Sequence, residues 1–168
     1  ESIKRNTHIS SYCGPRVSPN NKKMLNLAGN NLAPLDFLFL NSKLEHFMPP
    51  TTIDLSWNRE FGIYDSSSFQ GRTEFPFLKL HTLRLTNVSM DEDYAANLRA
   101  VLESPACRLV SLDVAGNAST LKKNGFSHLL YGLKMNKSLK FLSLVSCVPK
   151  NYHSYDLLRE AIEENSTL

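Results

Sequence analysis

The chain has 168 residues, 42% of them hydrophobic, and its 19 basic and 16 acidic side chains leave a net charge of +3. That is enough apolar material for one core of ordinary domain size. The Lys and Arg residues are spread along the whole sequence without the dense basic stripe that nucleic-acid binding needs, and no run approaches the roughly 18 apolar residues of a membrane span, so neither nucleic acid nor direct membrane insertion is expected.

Residues 1–21 carry no periodicity, and Cys13-Gly14-Pro15 and Ser18-Pro19-Asn20 are turn chemistry. They read as an extended lead-in or part of a preceding repeat, ahead of a repeat domain over 22–168. From Lys22 the stretch KKMLNLAGNNL carries Leu25-x-Leu27-x-x-Asn30-x-Leu32. Its core returns as Ile53-x-Leu55-x-x-Asn58, Leu83-x-Leu85-x-x-Val88, Leu112-x-Val114-x-x-Asn117 and Leu142-x-Leu144-x-x-Cys147. The first apolar positions, Leu25, Ile53, Leu83, Leu112 and Leu142, are almost equally spaced along the chain. Unrelated strands would have no reason to keep that constancy, and the pattern predicts five stacked repeats.

Between strands the chain must return. Leu35, Leu38, Leu44 and Phe47 predict a helix over Leu35–Phe47, stopped by Pro49-Pro50. The third return, Met90–Leu102, opens on Asp91, Glu92 and Asp93, which suit a helix N-terminus, and turns Tyr94, Leu98, Val101 and Leu102 inward. The fourth uses Phe126, Leu129, Leu130 and Leu133, and the fifth Tyr155, Leu158 and Ile162 on a helix that frays at Asn165. The second return, Arg59–Lys79, contains Gly62, Gly71 and Pro76 and predicts loop or short turns. Its aromatics Phe61, Tyr64, Phe69, Phe75 and Phe77 either fill the space of the missing helix or form an exposed cluster. No initiator Met is present, and Leu168 stands one period after Leu139, where a sixth repeat would begin, so the sequence reads as a fragment of a longer array.

In each unit the two apolar residues of Leu-x-Leu are expected to point into the core, and the Asn or Cys three positions on to satisfy backbone groups at the inward turn. Val88 cannot do so, which makes its neighbour Asn87 the expected substitute.

These residues resemble the leucine-rich-repeat family, and a period of roughly 29 residues with helical returns is similar to its ribonuclease-inhibitor-like class. Leu133-Lys-Met-Asn136-Lys-Ser138-Leu139 and Ile162-Glu-Glu-Asn165-Ser-Thr167-Leu168 resemble the helix-to-strand joint of CARMIL actin-regulatory proteins and tropomodulins, and similar joints occur in cytosolic immune receptors. The resemblance implies an α/β horseshoe solenoid, with a parallel concave sheet and helices on the convex side. It also implies non-enzymatic protein–protein recognition by a scaffold or regulator, with a CARMIL-like cytoskeletal role as first choice. A repeat domain of an innate immune sensor, or the substrate-recognition repeats of a ubiquitin ligase, are the alternatives.

The register then names the exposed strand residues. The central column is Asn26, Asp54, Arg84, Asp113 and Ser143; before it run Met24, Thr52, Thr82, Ser111 and Phe141, and after it Ala28, Ser56, Thr86, Ala115 and Val145. Asp54, Arg84 and Asp113 are lateral neighbours that either meet a charged partner or satisfy one another. Trp57, the only tryptophan, lies near the rim as an interface anchor or packs on its own return segment. Phe141 and Val145 make an apolar spot. The candidate partner-binding residues are therefore Asp54, Trp57, Arg84, Asp113 and Phe141.

No metal spacing among the five histidines, no Gly-rich phosphate loop and no nucleophile elbow is present, so neither catalysis, a cofactor nor a metal is expected. Three scattered cysteines suit a reducing, cytoplasmic setting. The triplets at Asn87, Asn117, Asn136 and Asn165 are formal glycosylation acceptors that would fit a secreted protein instead, although Asn117 falls at a position expected to be buried.

Overall fold

A computed structural model describes residues 16–17, 23–33, 36, 50–63, 79–149 and 152–168. Its sheet holds β1 (Arg16–Val17), β2 (Lys23–Asn26), β3 (Thr52–Asp54), β4 (Thr82–Arg84), β5 (Ser111–Asp113) and β6 (Phe141–Ser143), in that spatial order. Strands β2 to β6 are parallel and in the register set by the repeat: Leu25, Ile53, Leu83, Leu112 and Leu142 are lateral partners, as are Asn26, Asp54, Arg84, Asp113 and Ser143. The lead-in adds β1, which runs antiparallel to β2 and covers the edge of the ladder at Lys23 and Met24.

The strands are short because only a few positions per unit need to extend before the chain turns inward. Ile53, Leu83 and Leu112 are buried, as are Leu27, Leu55, Leu85 and Val114, whereas Leu25, Leu142 and Leu144 on the outer strands are only partly covered. Each strand thus depends on both neighbours for its burial, which contributes roughly 1.5–3 kcal/mol per side chain.

The asparagine column works one unit backwards. The fully buried Asn58 accepts from the backbone N–H of Asn30 and of Leu32 (2.9 Å each) and donates to the carbonyls of Leu27 (3.0 Å) and Leu55 (2.7 Å). Asn117 repeats the arrangement on Val88, Met90, Leu85 and Val114. Two amides converge on one side-chain oxygen because the residues before each of them are left-handed: Gly29 and Asn31 in the first case, Asn87 and Ser89 in the second. Such alternation makes a concave nest of N–H groups. Where the next unit lacks Asn, the loop differs. Ahead of Val88, residues 59–62 form a tight turn in which the Phe61 N–H donates to the Asn58 carbonyl and the Gly62 N–H donates directly to the Val88 carbonyl. Ahead of Cys147, the chain enters a helix at once. The expected substitution of Asn87 for Val88 is therefore corrected: the amides of Val88 and Met90 are satisfied by Asn117 of the following unit, and the Asn87 side chain lies over Gly116.

Helices α1 (Glu92–Glu103), α2 (Ala118–Met135) and α3 (Tyr152–Glu164) return the chain. Asp91 caps α1 by accepting from the Tyr94 N–H at 2.8 Å, with Glu92 and Asp93 in the first turn. Tyr94, Leu98, Val101 and Leu102 of α1, and Phe126, Leu129, Leu130 and Leu133 of α2, are buried as the spacing predicts. Gly125 and Gly132 let α2 approach α1 closely; a Cβ at Gly132 would stand 3.1 Å from the Arg99 Cα. Helix α2 is broken after its first turn at Lys122 (φ 50°, ψ −168°).

Helix α3 corrects a second expectation. Its covered face is Ser154, Leu157, Leu158 and Ala161, while Tyr155 and Ile162 are exposed. Residues 154, 158 and 161 and residues 155, 158 and 162 are both helical stripes through Leu158, and the close approach to α2 selects the one with the smaller side chains. Lys134 of α2 bridges to Glu160 and Glu164 of α3 across the same seam.

The helix Leu35–Phe47 lies outside the described residues except for Asp36, as do Tyr64, Phe69, Phe75 and Phe77. Phe61 is core, edge-on to Tyr94 with ring centroids 5.9 Å apart. Cys147 is fully buried, and burial pushes its thiol up to about 12. Asn136 donates to the Leu102 carbonyl and accepts from the N–H of Ser138 and of Leu139, and Asn165 does the same one unit later with Leu133, Thr167 and Leu168. Asn117, Asn136 and Asn165 are thus buried with both ends of the amide engaged, which leaves no room for a glycan on the folded chain.

Candidate protein-binding face and rim

Among the described residues, the face of the sheet opposite the Leu-x-Leu core is exposed at Asn26, Arg84, Phe141 and Val145, half-buried at most other positions, and buried at Asp54 and Ser56. On the open face the central column does two things. Asn26, Asp54 and Asp113 each accept, at 3.0 Å, from the N–H two positions on, a short Asx closure that ends the strand. The second oxygen of Asp54 lies 3.6 Å from the Arg84 guanidinium, and Asp54 is 9% exposed. Asp54 is thus largely covered and engaged with Arg84, whose side chain is 50% exposed. Asp113 is the lateral partner of Arg84 on the other side, yet among the described residues it makes no ion pair. The expected Asp–Arg–Asp ladder closes on one side only, and the Asp113 carboxylate remains available. Phe141 of β6 (65% exposed) and Val145 in the turn after it (70%) are both exposed apolar side chains.

Trp57 stands apart from these columns, in the turn after β3. The residues just before the asparagine column are Gly29, Trp57, Asn87, Gly116 and Ser146, and all five have positive φ, from 50° to 73°. Glycine adopts this conformation freely and Asn readily, but a bulky side chain there costs roughly 1–2 kcal/mol. Trp57 (φ 64°) is nevertheless 56% exposed, so its own chain recovers little by burying it. Trp57→Gly is accordingly expected to leave thermal stability unchanged or to raise it by about 0.5–1 kcal/mol, read as a higher midpoint in a circular dichroism melt. A loss above about 1 kcal/mol would show that the ring is a packing residue.

Trp57, Arg59, Asn87, Ser89, Gly116 and Ser119 line an open groove of about 270 Å³ along this rim, crossing three consecutive units. Of these, the sequence marks Trp57 alone as a candidate for binding; Asn87 is read there as a turn residue and a formal glycosylation acceptor. The structure brings Asp54 and Arg84 together on the open face, places Phe141 two strands from Arg84, and puts Trp57 on the rim beside groups from the next two units. The missed residues left one signal: two glycines and an asparagine among five in the column before the recurrent turn position mark a left-handed site, and against them a tryptophan is anomalous.

Neither the family models nor the curated proteins compared with the chain yield a match. No helix among the described residues is long and apolar enough to cross a membrane.

Proposed function

We propose that the chain is a leucine-rich-repeat module of the ribonuclease-inhibitor-like class. It serves as a non-enzymatic protein-recognition scaffold or regulator, of the cytoskeletal kind that the Asn136 and Asn165 joints resemble. One observation carries the reading. Five parallel strands devote their inward positions to apolar packing, while their outward positions carry unlike groups that no helix among the described residues covers: the half-exposed Arg84, the Asp113 carboxylate and the exposed Phe141. Charged and aromatic groups held at fixed spacing on a rigid sheet suit an interface, where a few such anchors dominate the binding energy. The equivalent hydrogen bonding of Asn136 and Asn165 supports the solenoid reading, since the same joint recurs one period on.

The test uses the full chain as bait, with each partner it captures identified and then titrated. Arg84→Glu combined with Trp57→Ala is expected to weaken an authentic partner at least tenfold, about 1.4 kcal/mol or more. Unchanged affinity would move the interface to the helical side or to residues 59–79, and the assignment to the open face and rim would fall.

A further inference from the structure

We propose that the Trp57 groove is the docking slot for an acidic segment of a partner protein, one that carries an apolar or aromatic side chain beside a carboxylate. The inference rests on the recognition reading above and supplies the chemistry of the partner.

Conformation is the first ground. Four of the six lining residues, Trp57, Asn87, Ser89 and Gly116, are left-handed, and three of them are not glycine. Backbone in this state persists only where its surroundings fix it, and because the same turn recurs in every unit it sets the shape of the groove. The fixing bonds are present: Trp57 N–H donates to the Thr86 carbonyl (2.8 Å), Asn87 N–H to Ala115 (2.9 Å) and Gly116 N–H to Val145 (2.8 Å). The floor is equally set. A Cβ at Gly116 would fall 2.2 Å from the Asn87 Oδ1, so the absence of a side chain there is what lets the Asn87 amide lie across the groove. The backbone that carries Trp57 is thereby fixed and its half-exposed ring lines a preformed concavity, which lowers the ordering cost of binding.

Charge is the second ground. Arg59 is the only ionised group in the lining, is exposed, and makes no ion pair among the described residues. Its guanidinium matches a carboxylate in a two-bond fork, and Ser89, Ser119 and Asn87 offer further donors. The face of Trp57 alone would attract a cation, but Arg59 beside it repels one, so the pair selects an apolar group next to an anion. One cation is too few for a nucleic-acid backbone. A volume of about 270 Å³ holds one or two side chains and lies below the usual range for a cofactor or drug-sized ligand.

The chain's single tryptophan makes the groove report its own occupancy. The full chain is titrated with the capped peptide Gly-Leu-Phe-Glu-Glu-Gly, and with Gly-Leu-Phe-Gln-Gln-Gly and Gly-Leu-Phe-Lys-Lys-Gly as controls, while Trp57 emission is followed. The expected result is a saturable change with the Glu peptide, at least tenfold weaker with the Gln peptide and absent with the Lys peptide. Arg59→Glu should abolish it and Arg59→Lys partly restore it; Arg59 is exposed, so both variants fold. Raising the salt to about 0.5 M should weaken binding, because an open ion pair is screened. No saturable change up to about 5 mM peptide, or equal responses to the three peptides, overturns the proposal. If the peptide fails while an identified partner still depends on Arg84, the groove assignment falls and the recognition reading stands. If that partner is also indifferent to Arg84, the assignment to the open face falls with the groove, and only the failure to capture any partner removes the recognition reading.

Discussion

Asn117→Ala is expected to lower the unfolding free energy by about 3–5 kcal/mol, a large part of the 5–15 kcal/mol typical of a domain. The side chain is fully buried and its amide joins four buried backbone groups of two units: it accepts from Val88 N–H (3.1 Å) and Met90 N–H (3.2 Å) and donates to the carbonyls of Leu85 (2.9 Å) and Val114 (2.8 Å), while a fifth partner, the part-buried Ala115 carbonyl (3.2 Å), also accepts from Asn87 N–H. Alanine leaves all four buried without partners, at about 1–3 kcal/mol each before relaxation. Urea unfolding followed by circular dichroism measures the loss. Asn117→Asp separates hydrogen bonding from volume. Its carboxylate keeps the acceptor end but sets a second oxygen against the carbonyls of Leu85 and Val114. Burial and that repulsion raise the folded pKa of the introduced acid above its unfolded value near 4. The stability it retains is therefore present at low pH and lost as pH rises between the two pKa values. Relative to the parent chain, the Asp variant should be less destabilised at about pH 4 than at about pH 7. A cost below about 1 kcal/mol for Ala would mean that the turn relaxes and water replaces the amide.

This asparagine also marks the limit of what the sequence makes legible. Strand positions were legible because alternation on a short strand is local, and a nearly constant period carries the register from one strand to the next without knowledge of the turns. The columns through Asn26, Asp54, Arg84, Asp113 and Ser143 follow from those two facts alone. The partners of Asn58 and Asn117 were not legible, because a buried amide is read from sequence as serving its own turn, whereas much of its bonding lies in the preceding unit. Sequence alone therefore points to a substitute for Val88 within its own unit. Its consequence falls one unit earlier, in the turn of residues 59–62. Helix α3 failed differently: size favoured the stripe with Tyr155 and Ile162, and only the proximity of α2 shows that Ser154 and Ala161 fit the space. The rim groove draws side chains from three units at positions outside the strands, so no single repeat displays it.

Gly62→Ala is expected to destabilise the fold by about 2–4 kcal/mol, although the substitution adds one methyl group and Gly62 does not need a left-handed backbone. The new Cβ would stand 2.5 Å from Met90 N, 2.6 Å from Met90 Cα and 2.6 Å from the Val88 carbonyl oxygen, all backbone atoms with no rotamer by which to move aside. The closeness has a cause. With Val88 in the asparagine column, no asparagine amide joins the two units at this turn, and the chains meet backbone to backbone: Gly62 N–H donates to the Val88 carbonyl at 2.7 Å and Asp91 N–H donates to the Gly62 carbonyl at 2.9 Å. Separating them by about 1 Å breaks both bonds and shifts Asp91, the residue that caps α1, so cap and turn are lost together. The effect should therefore have a location as well as a size. Amide exchange is expected to rise at Tyr94 and Ala95 in the first turn of α1, whose N–H groups donate to Asp91, and to change little in β5, two strands from the turn. Uniformly faster exchange would point to global destabilisation without a specific contact. A cost within about 0.5 kcal/mol would mean that the 59–62 turn does not rest on Val88 and Met90.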